Sequence, residues 1–355
     1  MPVDIRPVTI PQVLGTAESA EFERVVELQT AIEIERWGDD RFAFTAPELL
    51  ALYQDAYLPR RVFAAWHGER CVGRSVAFWE ADPAALRGDT VVEVAAEYRR
   101  AGIGSQLLAR AEGVIRRLGR EVFGTFFDIP IADAALPGGR LHAPQGDATI
   151  PVELPGARFA MRHGYTLRQI ERQSGLTVAG RVEEFRAASA QREAEASDYR
   201  IVGWVDRTPD DLVDGYAAAR ARMVLDVPAG ELTIDEERWD GARVRAHEDR
   251  ALDGGRSLLV QAAVAPDGSV AGYTELELPP GKTVAYQSDT LVVAAHRGHG
   301  LGMRVKLANL VLLGEIAPER TDVYTWNADE NEHMLAINVA LGFDVRGVSA
   351  EFQRG

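Results

Sequence analysis

Two short glycine-rich segments carry the residue pattern with the clearest chemical use in this sequence. Both read Arg-x-x-Gly-x-Gly, at 99–104 and at 297–302, and both lie between an apolar, β-branched run and a segment with helical apolar spacing. Glycine lets a backbone turn tightly and approach a ligand closely. The first N–H groups of a helix have no partner inside it, and the helix dipole favours negative charge there. The pattern therefore predicts two cradles for a phosphate or pyrophosphate group.

These loops differ from the two best-known nucleotide motifs. Neither ends in Gly-Lys-Ser/Thr, and neither has the third glycine of a dinucleotide-binding fingerprint. One such loop alone is a weak signal, since many glycine-containing turns between a strand and a helix bind nothing. The recurrence of the surrounding elements strengthens it.

The elements around the loops also occur twice. A β-branched run precedes each loop, at 90–94 and at 290–293, and a helix followed by a Gly-aromatic pair closes each unit, at Gly164-Tyr165 and Gly342-Phe343. The apolar positions expected on the helices after the loops are Leu107, Leu108, Ala111, Val114, Ile115 and Leu118, then Val305, Leu307, Ala308, Leu310, Val311 and Leu312. The sequence therefore indicates an internal duplication.

The length of 355 residues also favours two domains over one. Residues 181–197 are rich in Ala, Glu and Arg, which is typical of a solvated helical linker. We expect an N-terminal domain over 1–180, this linker over 181–197, and a C-terminal domain over 198–355.

The duplicated segments resemble a known family. Val94–Gly104 and Val292–Gly302 are similar to the coenzyme-A motif of the GNAT N-acetyltransferase superfamily, and Arg162–Tyr165 and Ala340–Phe343 resemble its end motif. Thr325–Asn331 resembles its strand-five and helix segment, and the tandem layout is similar to that of actinobacterial mycothiol synthases. The resemblance implies an α/β (α+β) fold of two tandem GNAT-like domains, each a mixed, mostly antiparallel sheet flanked by helices.

The same resemblance implies acetyl-CoA as cosubstrate and no metal. The loop amides would hold the pyrophosphate, and the strand edges would pair with the pantetheine arm. The alternative for Asn331 is a polar residue that caps a helix. The implied cofactor-binding residues are Val92, Val94, Arg99, Arg100, Gly102, Ile103, Gly104 and Ser105, then Leu291, Val292, Arg297, Gly298, His299, Gly300, Leu301, Gly302, Met303 and Asn331.

Acetyl transfer to an amine requires a base, and strand carboxylates are the candidates. We expect Asp289, Glu275 or Glu93 in this role, although an acidic strand residue is more often solvated. Glu277 shares the face of Glu275, and Glu80 is comparable to Glu93. The tyrosine that the family commonly uses as proton donor would fall at Ala160 and Asn338, so neither half supplies it.

Composition limits the partners. The formal net charge of −15 argues against nucleic acid and suits a cationic amine, although solubility alone would also explain it. No apolar run approaches membrane-span length, and the N-terminus does not read as a signal peptide. The single cysteine, Cys71, is expected to be a buried filler, and its isolation fits a cytoplasmic protein. We expect a monomer or homodimer.

Three functions follow from these observations. The first is an N-acetyltransferase for a small amine-bearing molecule, active first in the C-terminal domain, which carries the fuller motif set. The second is a protein or peptide N-acetyltransferase. The third is a non-catalytic acyl-CoA-binding regulatory protein, an alternative that the missing tyrosines leave open.

Overall fold

The computed structural model describes residues 3–194, 198–226, 228 and 230–355, and the chain forms two compact units. Unit 1 comprises residues 1–171, 229–235 and 347–355, and unit 2 comprises residues 172–228 and 236–346. The units therefore do not coincide with the expected domains 1–180 and 198–355, because two later segments are part of unit 1.

Unit 1 is built on a mixed sheet. Its strand order is β1-β2-β3-β4-β5-β14, in which β4 and β5 are parallel and the other neighbours are antiparallel. Strand β8 contributes its residues up to 171, and strand β14 contributes its residues from 347. The elements are β1 (Asp4–Pro7), α1 (Ala20–Trp37), α2 (Ala46–Tyr53), β2 (Arg60–His67), β3 (Arg70–Phe78), β4 (Arg87–Val94), α3 (Ile103–Arg117), β5 (Val122–Pro130), α4 (Ile131–Ala134), β6 (Arg140–His142), β7 (Thr149–Pro151), α5 (Pro155–Arg162), β8 (Thr166–Thr177) and β14 (Asp344–Arg354).

Unit 2 repeats this plan. Strands β9, β10, β11 and β12 are antiparallel neighbours, and β12 pairs in parallel with β13. The elements are α6 (Val182–Ala194), β9 (Arg200–Val205), α7 (Val213–Ala221), α8 (Met223–Asp226), α9 (Gly241–Asp253), β10 (Ser257–Val264), β11 (Val270–Leu278), β12 (Val284–Val292), α10 (Leu301–Ile316), β13 (Asp322–Ala328) and α11 (Glu332–Leu341). The predicted mixed, mostly antiparallel sheet with flanking helices is confirmed in both units.

The helix after each glycine loop makes the parallel crossover. Parallel neighbours need a long connection, and α3 joins β4 to β5 as α10 joins β12 to β13. The predicted apolar face of α3 is buried from Leu107 to Ile115, but Leu118 is 47% exposed because the helix ends at Arg117. Helix α10 is buried on more sides, since it packs on the sheet and on α6.

The segment predicted as a solvated linker is a packed helix. Helix α6 lies in unit 2, and Phe185 belongs to the same apolar core as Leu310 and Leu313 of α10. Val182 packs so closely on Gly314 that a Cβ there would lie 2.7 Å from its Cγ2 atom. The prediction of a helix was correct, but the prediction of a solvated spacer missed this contact, because one buried phenylalanine anchors a mostly polar helix.

Two smaller observations complete the fold. Cys71 is buried on β3, as predicted, and burial raises the pKa of its thiol to about 11. Among the described residues, the longest apolar helical stretches fall short of what a bilayer crossing needs.

Candidate functional site

The parallel strand pair of unit 2 opens toward its carboxyl end. The pairing of β12 with β13 covers Val284–Gln287 and Asp322–Thr325. Beyond this point Thr290–Val292 of β12 pair only with β11. Strands β4 and β5 of unit 1 pair in the same way over only Arg87–Thr90 and Val122–Thr125. Each unit therefore has a cleft between two parallel strands, at the end where the crossover helix begins.

A glycine with a left-handed backbone starts each crossover helix. Gly102 has φ 80° at the N-cap of α3, and Gly300 has φ 67° at the N-cap of α10. The first backbone bonds of these helices run from Gln106 N–H to Gly102 O and from Arg304 N–H to Gly300 O, both at 3.2 Å. The three amides before Gln106 and the three before Arg304 therefore have no partner inside the helix, which is the arrangement that an anion cradle requires.

The second glycine of each loop allows close packing. A Cβ at Gly104 would lie 3.3 Å from Phe159 of α5, and one at Gly302 would lie 3.2 Å from Ile337 of α11. In both units the same Cβ would lie 3.7 Å from the last strand valine, Val94 or Val292. The strand end, the helix start and the following helix therefore meet at these glycines.

The loop arginines close the turn instead of standing free for a ligand. Arg99 Nε donates to Val94 O at 2.8 Å, and Arg297 Nε donates to Val292 O at 3.2 Å. Arg99 also forms a two-pronged ion pair with Glu35 at 2.7 Å, and Arg297 lies 3.3 Å from Asp226. Their charge is therefore largely compensated, so the backbone amides and the helix dipole are the main attraction for an anion.

The other predicted cofactor residues lie around these cradles. Val92, Leu291 and the two terminal valines lie on the strand ends, and Ile103, Ser105, Leu301 and Met303 lie in the first helical turns. Arg100, Gly298 and His299 lie in the turns themselves, where Arg100 has φ 66° and Gly298 has φ 86°. Asn331 caps α11, since its side chain accepts from Met334 N–H at 3.2 Å, so the alternative that we gave for this residue is its structural role.

A β-bulge brings two of the predicted bases together. Thr274 pairs with Thr290 and Leu276 pairs with Gln287, so two residues of β12 face the single residue Glu275 of β11. The Gln287 side chain fills the bulge by donating to Thr274 Oγ1 and Glu275 O, both at 2.7 Å. Asp289 and Glu275 consequently point to the same face of the sheet.

On that face both carboxylates bind one arginine. Arg220 of α7 lies 3.1 Å from Glu275 Oε2 and 3.0 Å from Asp289 Oδ2. Glu275 also accepts from Tyr216 OH at 2.9 Å, and His247 Nε2 lies 3.0 Å from its other oxygen. The indole ring of Trp239 lies 4.2 Å from the Arg220 guanidinium.

The two carboxylates differ in electrostatics. Burial would raise the pKa of Glu275, but His247 and Arg220 hold that pKa well below its usual range. Burial raises the pKa of Asp289 above its usual value, against the effect of Arg220 and with a contribution from Glu275. The Asp289 side chain is 22% exposed and that of Glu275 only 1%. Of the two, Asp289 is therefore the carboxylate that a substrate can reach.

Sequence reasoning missed Arg220, His247 and Tyr216. A signal existed for two of them, because Tyr216 and Arg220 are four residues apart on a helix whose intervening residues are alanines. His247 showed no comparable pattern. Glu277, the other candidate on this face, is paired with Arg256 and accepts from Ser288 Oγ at 2.8 Å.

Unit 1 places its candidate base in an ion pair. Glu93 is buried against Arg74, whose Nη1 atom donates to Tyr53 OH at 3.0 Å. Burial raises the pKa of the nearby Glu33 carboxyl group to about 7, against the effect of the neighbouring Arg36. Sequence reasoning did not single out Glu33, because its position on an amphipathic helix reads as solvated.

The buried ion pairs of unit 2 predict how stability depends on pH. Because the folded pKa of Glu275 is depressed, its contribution is present above its ordinary value of 4.5 and is lost as the pH falls below it. Glu275→Gln should lower the free energy of unfolding at pH 7 by about 3 kcal/mol, since it leaves Arg220 less compensated. Urea unfolding should show this deficit shrinking as the pH falls below 4.5. Glu319→Gln, at a side chain that is 62% exposed, is the control. A Glu275→Gln deficit that is as large below pH 4.5 as at pH 7 contradicts the assignment.

Comparisons with known proteins support the fold. No protein-family model and no curated protein matches the sequence. A tandem GNAT protein from the clavulanic acid biosynthesis pathway has a similar structure, with TM-score 0.72 and 22% identity over 99% of this chain and 98% of that one. A GCN5-related N-acetyltransferase from Sphaerobacter thermophilus has TM-score 0.63 and 13% identity over 99% and 95%. A glucosamine N-acetyltransferase region of a fungal multi-domain β-N-acetylglucosaminidase has TM-score 0.61 and 12% identity over 99% of this chain and 38% of that one. The chain therefore has the tandem GNAT fold.

Proposed function

We propose that this chain is an acetyl-CoA-dependent N-acetyltransferase for a small amine-bearing molecule, with its active centre in unit 2. One observation carries the proposal. The anion cradle at Gly300 and the carboxylate of Asp289 both lie at the carboxyl end of the same strand, β12. A cosubstrate held at the cradle and extended along that strand would bring its acyl group to the carboxylate.

The cleft suits the two parts of coenzyme A. The free amides of Leu301, Gly302 and Met303 would bind its pyrophosphate. Its pantetheine arm carries amide groups, which would add to the edge of β12 beyond Gln287 as another strand does. The acetyl group of acetyl-CoA would be the group that is transferred. Side chains of unit 2 would act on the amine.

Asp289 would act as the general base. Attack of the amine nitrogen on the thioester carbonyl forms the C–N bond, and Asp289 takes the proton that this nitrogen loses. The C–S bond then breaks and its electron pair leaves on sulfur. Arg220 binds the Asp289 carboxylate and would fix its orientation. The guanidinium is itself held by Glu275, Tyr216 and Trp239. An acceptor that carries an ammonium group would be attracted to a chain of net charge −15, and it would lose one proton to water before the attack.

Unit 1 supports cosubstrate binding more than turnover. Its cradle has the same geometry as that of unit 2, with Gly102 in the position of Gly300. Its predicted base, Glu93, is buried against Arg74 with a side chain only 8% exposed, whereas the Asp289 side chain is 22% exposed beside Arg220. We therefore place transfer in unit 2 and propose a coenzyme-A-binding role for unit 1.

The cradle of unit 2 can be tested with two glycines of equal backbone geometry. Gly300→Glu should weaken acetyl-CoA binding at unit 2 and reduce turnover at least about 100-fold, because it places a negative charge where the pyrophosphate would lie. Gly281→Glu is the matched control, since Gly281 also has φ 67° and open space around it, in the turn between β11 and β12. Calorimetry with acetyl-CoA and thiol release with an amine panel measure both effects. If the two variants behave alike, the cradle is misplaced.

The base can be tested through the pH profile of kcat. Because the pKa of Asp289 is raised, turnover should increase with pH through that pKa and level off above it. Asp289→Asn should remove this acid limb and lower kcat by roughly 100-fold or more. Glu277→Gln is the control carboxylate, since Glu277 is already paired with Arg256. An Asp289→Asn variant with an unchanged profile would exclude Asp289 as the base.

A further inference from the structure

Unit 2 buries a lysine that the site described above does not use. Lys306 of α10 is 1% exposed, and its Nζ atom donates to Asn338 Oδ1 at 3.0 Å and lies 5.7 Å from the centre of the Phe343 ring. Burial alone lowers the pKa of Lys306 to about 7. Among the described residues it has no ion pair with a carboxylate. A buried cation held only by an amide and a ring is costly, so it requires an explanation.

The hydrogen bonds of this lysine have a fixed direction. An ammonium group only donates, so Asn338 must present its carbonyl oxygen to Lys306. The amide nitrogen of Asn338 then donates to Asn327 Oδ1 at 2.7 Å. Asn327 therefore presents its own amide nitrogen as the outermost donor. The three side chains form a donor chain from Lys306 through Asn338 to Asn327, in which each bond polarises the next.

Unit 1 shows that the fold does not need this chain. Lys306 is the sixth residue after the N-cap glycine of its helix, and the sixth residue after Gly102 is Leu108. Asn338 precedes the closing glycine of its unit by four residues, as Ala160 does in unit 1. Asn327 is two residues beyond the last residue paired with the neighbouring parallel strand, as Phe127 is in unit 1. Unit 1 thus fills the three equivalent positions with apolar side chains.

The donor chain ends at the cleft. Asn327 lies on β13 past the last pair with β12, where the two strands have separated, and it is partly exposed. Asn338 follows Ile337, the residue that packs on Gly302 beside the cradle. The donor chain therefore ends on β13, the strand across the opening from β12, which carries Asp289.

We propose that Lys306 and Asn338 are positioning residues that direct the Asn327 amide at the sulfur of the bound thioester, where it stabilises the negative charge of the leaving group. This proposal rests on the proposed function. As the amine forms its bond to the carbonyl carbon, the C–S electron pair moves to sulfur and the amine proton moves to Asp289. The Asn327 amide donates a hydrogen bond to the thiolate, which takes a proton from water after release. The positive charge of Lys306 strengthens the Asn327 amide as a hydrogen-bond donor, through Asn338.

Two variants separate this role from a structural one. Lys306→Met removes the charge at similar size, and Asn338→Asp keeps an acceptor for Lys306 but cannot donate to Asn327. Both should lower kcat by about 100-fold, as loss of a preorganised donor does, and leave the KM for acetyl-CoA unchanged. The double variant Lys306→Leu/Asn338→Ala copies unit 1, so it should resist urea at least as well as the unmodified chain at pH 7 while losing the same turnover. Asn309→Leu, at another buried polar side chain of α10, is the control and should keep its kcat.

A second readout does not depend on finding the acceptor. The ultraviolet absorbance of the thiolate gives the pKa of the thiol of coenzyme A bound to unit 2, with Gly102→Glu in all samples to weaken binding at unit 1. The thiol pKa should be lower on the unmodified unit 2 than on Lys306→Met or Asn338→Asp, by at least about one unit. Equal thiol pKa values on all three would overturn the donor chain. If the thiol pKa shifts as expected but no amine is acetylated, the donor chain stands and the proposed function fails. If coenzyme A does not bind unit 2 at all, both fail.

Discussion

The central constraint in each unit is a parallel strand pair that separates after four residues. Parallel strands require a crossover, and here the crossover helix starts directly beyond the opening. The unpaired amides of its first turn therefore face the same space as the unpaired strand edge. Only glycine accepts the left-handed backbone at Gly102 and Gly300 that turns the chain from strand into helix without steric cost. The cradle and the cleft are thus consequences of one connection.

The two units use this frame with different interiors. Unit 2 places buried charge on both sides of the opening, with Arg220 between two carboxylates on one side and Lys306 on the other. Keeping Lys306 in its charged form while it is buried costs on the order of 5 kcal/mol, because burial lowers its pKa from 10.5 to about 7. Unit 1 instead places Leu108 at the position of Lys306. The duplicated fold therefore offers its own comparison at this one position, since unit 1 also buries an ion pair, between Arg74 and Glu93.

Local sequence patterns predicted the frame well, because they are local in origin. Glycine spacing, β-branched runs and helical apolar periods act over a few residues, so the loops and the crossover helices were predictable from them. The mixed sheets were predicted from the family resemblance. The boundaries of the two units were harder to predict, because the assignment of 347–355 to unit 1 depends on which strand pairs with β5. Helix α6 was misjudged as a solvated spacer, since its single Phe185 anchor is weak evidence in sequence.

The sequence predicted candidate residues for the site but not their charge partners. Asp289 and Glu275 were candidates from strand position, but a bulge decides that they share Arg220. Glu93 was a candidate base on the same grounds, but its side chain is buried against Arg74. Arg99 and Arg297 were expected among the cofactor-binding residues, and each bonds back to its own strand end. Charge partners that lie far apart in the chain set these roles, and one sequence does not show them.

The central claim is that unit 2 transfers an acetyl group to an amine, and acetyl-CoA labelled in its acetyl carbon tests it most directly. The protein is incubated with this cosubstrate and a panel of small primary amines, and free thiol and labelled amide are measured together. The account predicts that at least one amine becomes acetylated, with one thiol released for each amide formed. Tight binding of acetyl-CoA with no labelled amide for any amine would contradict it and would favour a non-catalytic acyl-CoA-binding protein.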